Sequence, residues 1–280
     1  MQAIFFLSAL VSVIAVIAIC LFLLLRGLPA ISEIGFMEFI FNEKWKPTNT
    51  PPSYGILSMI VGSFYVTGGA IVIGVPIGLM CAIFLAEFCP PAIYKIVKPA
   101  VNLLAGIPSI IYGFFGMEIV VPYVREYLGG NGFSIMSASI ILGIMILPTI
   151  ISISESSIRA VPNSYKEGSY GIGATKEETV FKVVVPAAKS GVLTSIILGI
   201  GRAVGETMAV VMVAGNSVMP LDKIKLLKPI RTLTTNIVTE MSYASGLHEA
   251  SLISTGVVLF VFIIILNAAL SLIKANSVRN

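Results

Sequence analysis

The chain has 280 residues, 56% hydrophobic and only 11% charged, with a formal net charge of +4 and a mean hydropathy of +0.98. Soluble domains carry roughly 25% charged residues, so the composition excludes a soluble globular protein and points to an integral membrane protein. A charge of +4 in such a chain makes no case for nucleic-acid binding, which needs clustered basic residues on a soluble surface.

Crossing the hydrocarbon takes about 20 apolar residues as helix, and six segments qualify: about 3–25, 56–86, 99–121, 133–154, 191–215 and 251–273. They lack the alternation of barrel strands, so helices are the expected form. The first segment is longer than the roughly 7–15 apolar residues of a signal peptide. No basic residue precedes it and no small-residue cleavage motif follows, so it is predicted as a retained transmembrane helix. Residues 26–55 form a polar connection, with Glu33, Glu38, Glu43, Lys44 and Lys46, then Pro47, Pro51 and Pro52. Trp45 within it is expected at a membrane interface. The second segment is overlong and is expected to tilt, or to begin as an interfacial or re-entrant stretch. Cys20, Cys81 and Cys89 lie in or beside apolar segments without CxxC spacing. They read as packing residues, and the single His248 argues against a histidine metal site.

The third segment holds Leu103-Leu104-Ala105-Gly106-Ile107-Pro108-Ser109, then Tyr112-Gly113. Pro108 removes a backbone donor and is predicted to kink or break the helix. Broken helices place half-helix ends at anion sites, which makes Ser109 a candidate donor; a packing kink is the plainer reading. Residues 155–190 form a long charged connection. Its stretch 164–178, bracketed by glycines, is predicted to hold a short helix along the membrane surface, either an interfacial helix or a docking element for a soluble partner.

The fifth segment carries Gly201-Arg202-Ala203-Val204-Gly205-Glu206-Thr207. A charge at the bilayer centre costs at least about 2.5–3.5 kcal/mol on insertion scales. On one unbroken helix Arg202 and Glu206, at i,i+4, share a face with Ser195, Gly199, Gly205 and Ala209. Two readings follow: an ion pair that holds a bundle together, or a cation on the path of an anion. A guanidinium matches a tetrahedral oxyanion bidentately. Glu206 would orient it or accept a hydrogen bond from a protonated oxyanion. Residues 216–250 form the last connection, with Asp222, Lys223, Lys225, Lys228 and Arg231. With the N-terminus inside, the basic residues inside are Lys95, Lys98, Arg159, Lys166, Lys176, Lys182, Lys189, Lys274 and Arg279. Those outside are Arg26, Lys44, Lys46, Arg125, Lys223, Lys225, Lys228 and Arg231. Nine against eight does not fix orientation by the positive-inside rule.

Glu167-Gly168-Ser169, then Gly173, then Val185-Pro186, resembles the EAA loop of binding-protein-dependent ABC importer permeases. That pattern is a glutamate and two alanines, a glycine four residues on, and a downstream Leu-Pro. Gly168 and Ser169 replace the alanines and Val185 the leucine, small for small and apolar for apolar. Residues 103–109 with Tyr112-Gly113, and 201–216, are similar to phosphate importer permeases of the PstC type. Asn102 stands where that family often has glutamate. The resemblance covers roughly 54–273.

The resemblance implies an all-α, polytopic membrane protein of about six transmembrane helices with the type I ABC importer permease fold. It implies a first helix and external loop over 1–55 and a permease domain over 56–273. The coupling loop would span 155–190, and a cytoplasmic tail 274–280. The function implied is the permease subunit of an ATP-driven phosphate importer in the cell membrane, with both termini cytoplasmic. Implied partners are a PstA-type permease, cytoplasmic ATPase subunits, an external phosphate-binding protein and membrane lipid, with no nucleic acid. The chain has no GxxxxGK[ST] loop. It is therefore expected to be no enzyme and to bind no cofactor or metal, with ATP and magnesium held by the ATPase partner. Arg202, Glu206 and Ser109 are the expected substrate-pathway residues. Glu167, Gly168, Ser169, Gly173 and Pro186 are those expected at the ATPase. The alternatives are a permease for molybdate or sulfate, or an ATP-independent channel-like protein. No Ser/His, HExxH or paired intramembrane aspartate pattern supports an intramembrane enzyme.

Overall fold

The structure, a computed structural model, describes residues 1–279, with the side chains of Ala3, Leu270 and 273–279 outside that description. The expected tail over 274–280 therefore lies outside the described side chains. In chain order the helices are α1 Gln2–Ile34, α2 Phe36–Phe41, α3 Leu57–Ile83, α4 Pro91–Gly106, α5 Ser109–Phe115, α6 Val121–Tyr123 and α7 Ile135–Arg159. They continue as α8 Asn163–Gly171, α9 Lys176–Thr179, α10 Val185–Ala187, α11 Lys189–Gly205, α12 Met208–Val213, α13 Leu233–Glu240 and α14 Leu247–Arg279. Wider π-turns prolong four of them, at Phe84–Phe88, Gly116–Val120, Val124–Leu128 and Val180–Val184. Two short strands, β1 Trp45–Lys46 and β2 Ser53–Tyr54, pair antiparallel.

Among the described residues four helical runs are long and apolar enough to cross a bilayer, and six if each of two sharply bent pairs forms one span. The third expected crossing is a pair, Pro91–Gly106 and Ser109–Leu128, bent by 101°. The fifth also departs from a straight rod: Lys176–Ala187 and Lys189–Gly205 meet at 69°, and α12 follows separately. The overlong second segment is one continuous helical run, Leu57–Phe88.

Contacts divide the chain into two compact units, and neither has a boundary at residue 55. The first comprises 1–62, 216–224 and 230–262. Its core is Phe39, Trp45, Tyr54, Ile56, Met59, Leu233 and Leu252. Trp45 is thus a core residue, not the interfacial anchor expected. Its indole N–H donates to Glu240 Oε2 at 2.8 Å, because a buried indole needs an acceptor. Glu240 also pairs with Arg231, and its Oε2 lies 2.9 Å from His248 Nε2. Burial and the Glu240 charge push the Tyr243 hydroxyl above its usual pKa. The 18-residue apolar window of α1 is 0% buried. Its close contact is lower down, where Ser254 donates to the Gly27 carbonyl at 2.7 Å.

The second unit comprises 63–215, 225–229 and 263–280. Its centre is α7, whose apolar window is 67% buried. Its neighbours approach through small residues, as membrane helices do without a hydrophobic drive between them. A Cβ on Gly74 of α3 would sit 2.7 Å from the Gly143 carbonyl, and one on Gly78 would sit 2.8 Å from Ile150. On the α11 side, Ser154 and Ser195 join hydroxyls at 2.6 Å, both fully buried.

Candidate functional site

The break at Pro108 is built from local chemistry. Pro108 cannot continue the hydrogen bonding of α4, and the residue before a proline is pushed to extended angles. Ile107 is extended, and its N–H still reaches the Leu104 carbonyl at 3.4 Å. The buried Tyr112 donates its hydroxyl to the same carbonyl at 2.8 Å, satisfying an acceptor at the end of α4. Ser109 is the first residue of α5 and half-buried. α5 packs against α12: a Cβ on Gly113 would meet Met212 Sδ at 2.5 Å and the Ala209 Cα at 3.3 Å.

A second break corrects the expected unbroken helix over 191–215. α11 ends at Gly205, and Glu206 is extended, with φ −73 and ψ 128. Glu206 therefore does not follow Arg202 at i,i+4 on one helix. Its carboxylate accepts from the Ala209 amide at 3.4 Å, at the start of α12. A carboxylate there suits the positive end of that helix.

Arg202 lies in the last turn of α11 and is half-buried. Among the described residues its guanidinium makes one hydrogen-bond contact, from Nη1 to Thr149 Oγ1 of α7 at 3.5 Å. That is the long limit of such a bond. The face on which sequence placed it divides in two. Ser195 and Gly199 pack on α7, a Cβ on Gly199 meeting Ile150 at 3.1 Å, whereas a Cβ on Gly205 would meet nothing within 4 Å. The cation therefore borders an open, small-residue face. Among the described residues no hydrogen bond joins Ser109 to Arg202; α5, α7, α11 and α12 form the frame that carries both.

The expected short helix within 164–178 corresponds to α8, Asn163–Gly171. It stops at a glycine turn: Gly173 has φ +88, its N–H bonds to the Tyr170 carbonyl at 2.9 Å, and Ala174 bonds back to Ser169 at 3.2 Å. That backbone angle strains any residue with a Cβ. α9 then starts with a capping box between Thr175 and Glu178. The buried hydroxyls of Ser169 and Thr179, 2.8 Å apart, tie α8 to α9. Glu167, Gly168 and Pro186 are exposed, and Gly168 has open space beside it. The predicted loop residues thus split into an exposed set and one internal clasp, Ser169. Ile172 at the tip is 87% exposed, with Tyr165, Tyr170 and Phe181 also exposed nearby in sequence.

One polar cluster escaped the sequence reading. Glu155, 1% exposed, accepts from Lys98 at 2.6 Å, Tyr94 at 2.8 Å and Arg159 at 2.9 Å. Arg159 also stacks over the Tyr94 ring at 4.6 Å. Glu87 pairs with Lys166 at 2.7 Å. Both glutamates flank apolar segments, at 56–86 and 133–154. The signal was a carboxylate at the edge of a span with basic residues near its level, which demands a partner.

The family described as binding-protein-dependent transport system inner membrane component matches residues 74–278. The chain is 39% identical over 257 residues to a probable ABC transporter permease protein, YqgH, of Bacillus subtilis (strain 168), covering 90% of this chain and 83% of that protein. It is 37% identical over 253 residues to the phosphate transport system permease protein PstC of Mesorhizobium japonicum, covering 83% and 76%. Among solved structures, a chain of the MetNI methionine ABC transporter in an inward-facing conformation superposes with a TM-score of 0.63 at 21% identity, covering 79% and 97%. A chain of a bacterial ABC transporter involved in import of the acidic polysaccharide alginate gives 0.60 at 12% identity, covering 79% of each chain. At such identities these structures speak to the fold, which is that of ABC importer permeases.

Proposed function

The chain belongs to the family of binding-protein-dependent transport system inner membrane components, and on that premise we propose that it is the PstC-type permease of an ATP-driven phosphate importer. Within the family it is a multi-pass membrane permease subunit of an ABC importer and not itself an enzyme. ATPase subunits and a substrate-binding protein are its partners. The proposed cargo is inorganic phosphate, and the proposed second permease is of the PstA type. ATP and magnesium would sit on the ATPase, with none bound by this chain. The termini and the α8 element would face the cytoplasm.

The observation that carries the cargo reading is Arg202. A guanidinium in a membrane span, loosely held and beside an open face, is a costly arrangement for packing alone. A planar fork for a tetrahedral oxyanion accounts for the cost. Thr149 stands beside it as a hydroxyl that can donate to or accept from the same oxyanion. Glu206 would set the local charge so that phosphate is not held too tightly to leave, and Ser109 would offer a further hydroxyl along the path. The relatives named as phosphate permeases support this cargo.

The exposed apolar tip of 163–188 supports the second half of the mechanism. Ile172, 87% exposed, stands close in sequence to the exposed Tyr165, Tyr170 and Phe181, and an exposed apolar group of this kind is surface that a partner can cover. The proposed cover is a groove of the ATPase, with Glu167 on its basic groups. The test is uptake by the complete complex in proteoliposomes. Arg202→Lys should cut phosphate uptake while the complex assembles normally, and phosphate should outcompete molybdate and sulfate in the wild type. Normal uptake by Arg202→Lys would refute bidentate recognition; preference for another oxyanion would replace phosphate as cargo.

A further inference from the structure

Three cations from three successive segments converge on the turn that ends α3. Arg159, the last residue of α7, donates from Nη2 to the Leu85 carbonyl at 2.7 Å. Lys166, within α8, donates to Glu87 Oε1 at 2.7 Å. Lys176, the first residue of α9, lies over the Phe88 ring at 5.0 Å from its centroid. All three targets fall within the π-turn Phe84–Phe88.

The local backbone explains why this turn can be gripped. In a π-turn the acceptor at i is met five residues on. The partner due to Leu85 is then Pro90, which has no N–H. The orphaned carbonyl is taken by Arg159. Below this polar rim lies an apolar core of Ile83, Ile158, Val161, Val180 and Val184, with Phe88 packed against it. The end of α3, the end of α7 and the segment after α8 thus share one small core.

The Glu87–Lys166 pair differs from an ordinary surface pair. Its side chains are 8% and 21% exposed, against 47% and 72% for Glu178–Lys182 on α9 and the π-turn after it. Partial burial reduces screening and holds both side chains in one geometry. A link that transmits displacement needs that stiffness.

We propose that the Phe84–Phe88 turn is the lever by which displacement of the α8 element moves α3, with Glu87–Lys166 as its tie. This rests on the reading that 163–188 docks on the ATPase. When nucleotide binding shifts α8, the tie and the core beneath it carry the shift to the end of α3. The shift then enters a continuous helical run from Leu57 to Phe88, which holds Pro76 inside it. Glu87 and Lys166 are positioning residues in this scheme, touching neither cargo nor nucleotide.

The experiment uses the full complex in proteoliposomes with Glu87→Lys, Lys166→Glu and the exchanged double variant. Three quantities are read: ATPase co-purified per permease, phosphate carried per ATP hydrolysed, and the nucleotide-dependent change in hydrogen exchange over 84–90. Each single reversal should keep the ATPase bound, lower phosphate per ATP by about tenfold, and abolish the exchange change. The exchanged pair should restore most of both. Glu87→Gln, which preserves volume, should give a smaller loss of the same kind and decides the matter if a reversal fails to insert. Wild-type coupling in the single reversals would overturn the proposal. So would loss of the ATPase from them, or a double variant that recovers nothing. If the wild type carries no phosphate yet shows an exchange change that the reversals abolish and the exchange restores, the cargo reading fails and the lever stands.

Discussion

Arg202 and Glu155 are both charges within apolar helices of the second unit, and their surroundings are opposite. Glu155 is 1% exposed and accepts three hydrogen bonds, from Tyr94, Lys98 and Arg159, at 2.8 Å or less for two of them and 2.9 Å for the third. Arg202 is half-buried and, among the described residues, makes one hydrogen-bond contact, to a hydroxyl at 3.5 Å. A carboxylate that accepts three hydrogen bonds across both of its oxygens is committed to holding helices together. A guanidinium with most of its five donors uncommitted is available to something that arrives and leaves. The same physics, a charge that must be paired, thus reads as scaffold in one place and as path in the other.

The comparison breaks first at Glu155. Glu155→Ala strands Lys98 and Arg159 together at the end of α7. Removing one partner of a buried pair costs about 3–5 kcal/mol. Arg159 keeps 46% of its side chain in solvent, so the lower end of that range applies. The expected result is a sharp fall in membrane abundance and in thermal stability of the purified complex. Unchanged stability would remove the scaffold half of the contrast.

Arg202→Lys sharpens the other half. Thermal stability should change little, because a single 3.5 Å contact is lost. Phosphate uptake should fall by about ten- to a hundredfold, equivalent to about 1.4–2.7 kcal/mol. A variant that unfolds the complex instead would place Arg202 beside Glu155 as scaffold. Adding Glu206→Gln tests whether the two act together. The double variant should lose less than the sum of the single losses, and strict additivity would make them independent.

Gly173→Val comes next. The position has φ +88 but no atom within 4 Å of a new Cβ, so the cost is backbone strain and not a clash. Left-handed angles cost a residue with a Cβ about 1–2 kcal/mol. The α8–α9 turn should open, ATPase co-purification should fall, and the membrane helices should remain inserted. Full recruitment by this variant would detach the turn from docking.

Much of this was legible in the sequence because the signals were local. Six apolar stretches gave the crossings, Pro108 the first break, and Gly173 the turn after α8. The second break was missed. Gly205, Glu206 and Thr207 contain no proline, and i,i+4 spacing suggested one helix; the local mark was Gly205, the last residue of α11, a residue type common at helix ends. Glu155 escaped for a different reason. It was placed at the start of a loop, but α7 runs on to Arg159, so the carboxylate faces Lys98 and Tyr94, which lie about 60 positions earlier and are brought near only by the fold. Trp45 was misplaced because an indole suits an interface and a core equally, and its partner Glu240 is 195 residues away.

The finest test of the contrast separates two glycines on one helix. A Cβ on Gly199 would lie 3.1 Å from Ile150, close enough that α7 must give way slightly; Gly205 has open space. Gly199→Ala should therefore lower stability by about 1 kcal/mol, near the lower end of overpacking costs, and reduce uptake only as far as the complex is lost. Gly205→Ala should stay within about 0.5 kcal/mol of the wild type. If the open face beside Arg202 is where cargo passes or the second permease sits, Gly205→Leu should lower uptake several-fold in a complex of unchanged thermal stability. Full uptake by Gly205→Leu would mean that this face meets lipid, and Arg202 would then need another route to the cargo.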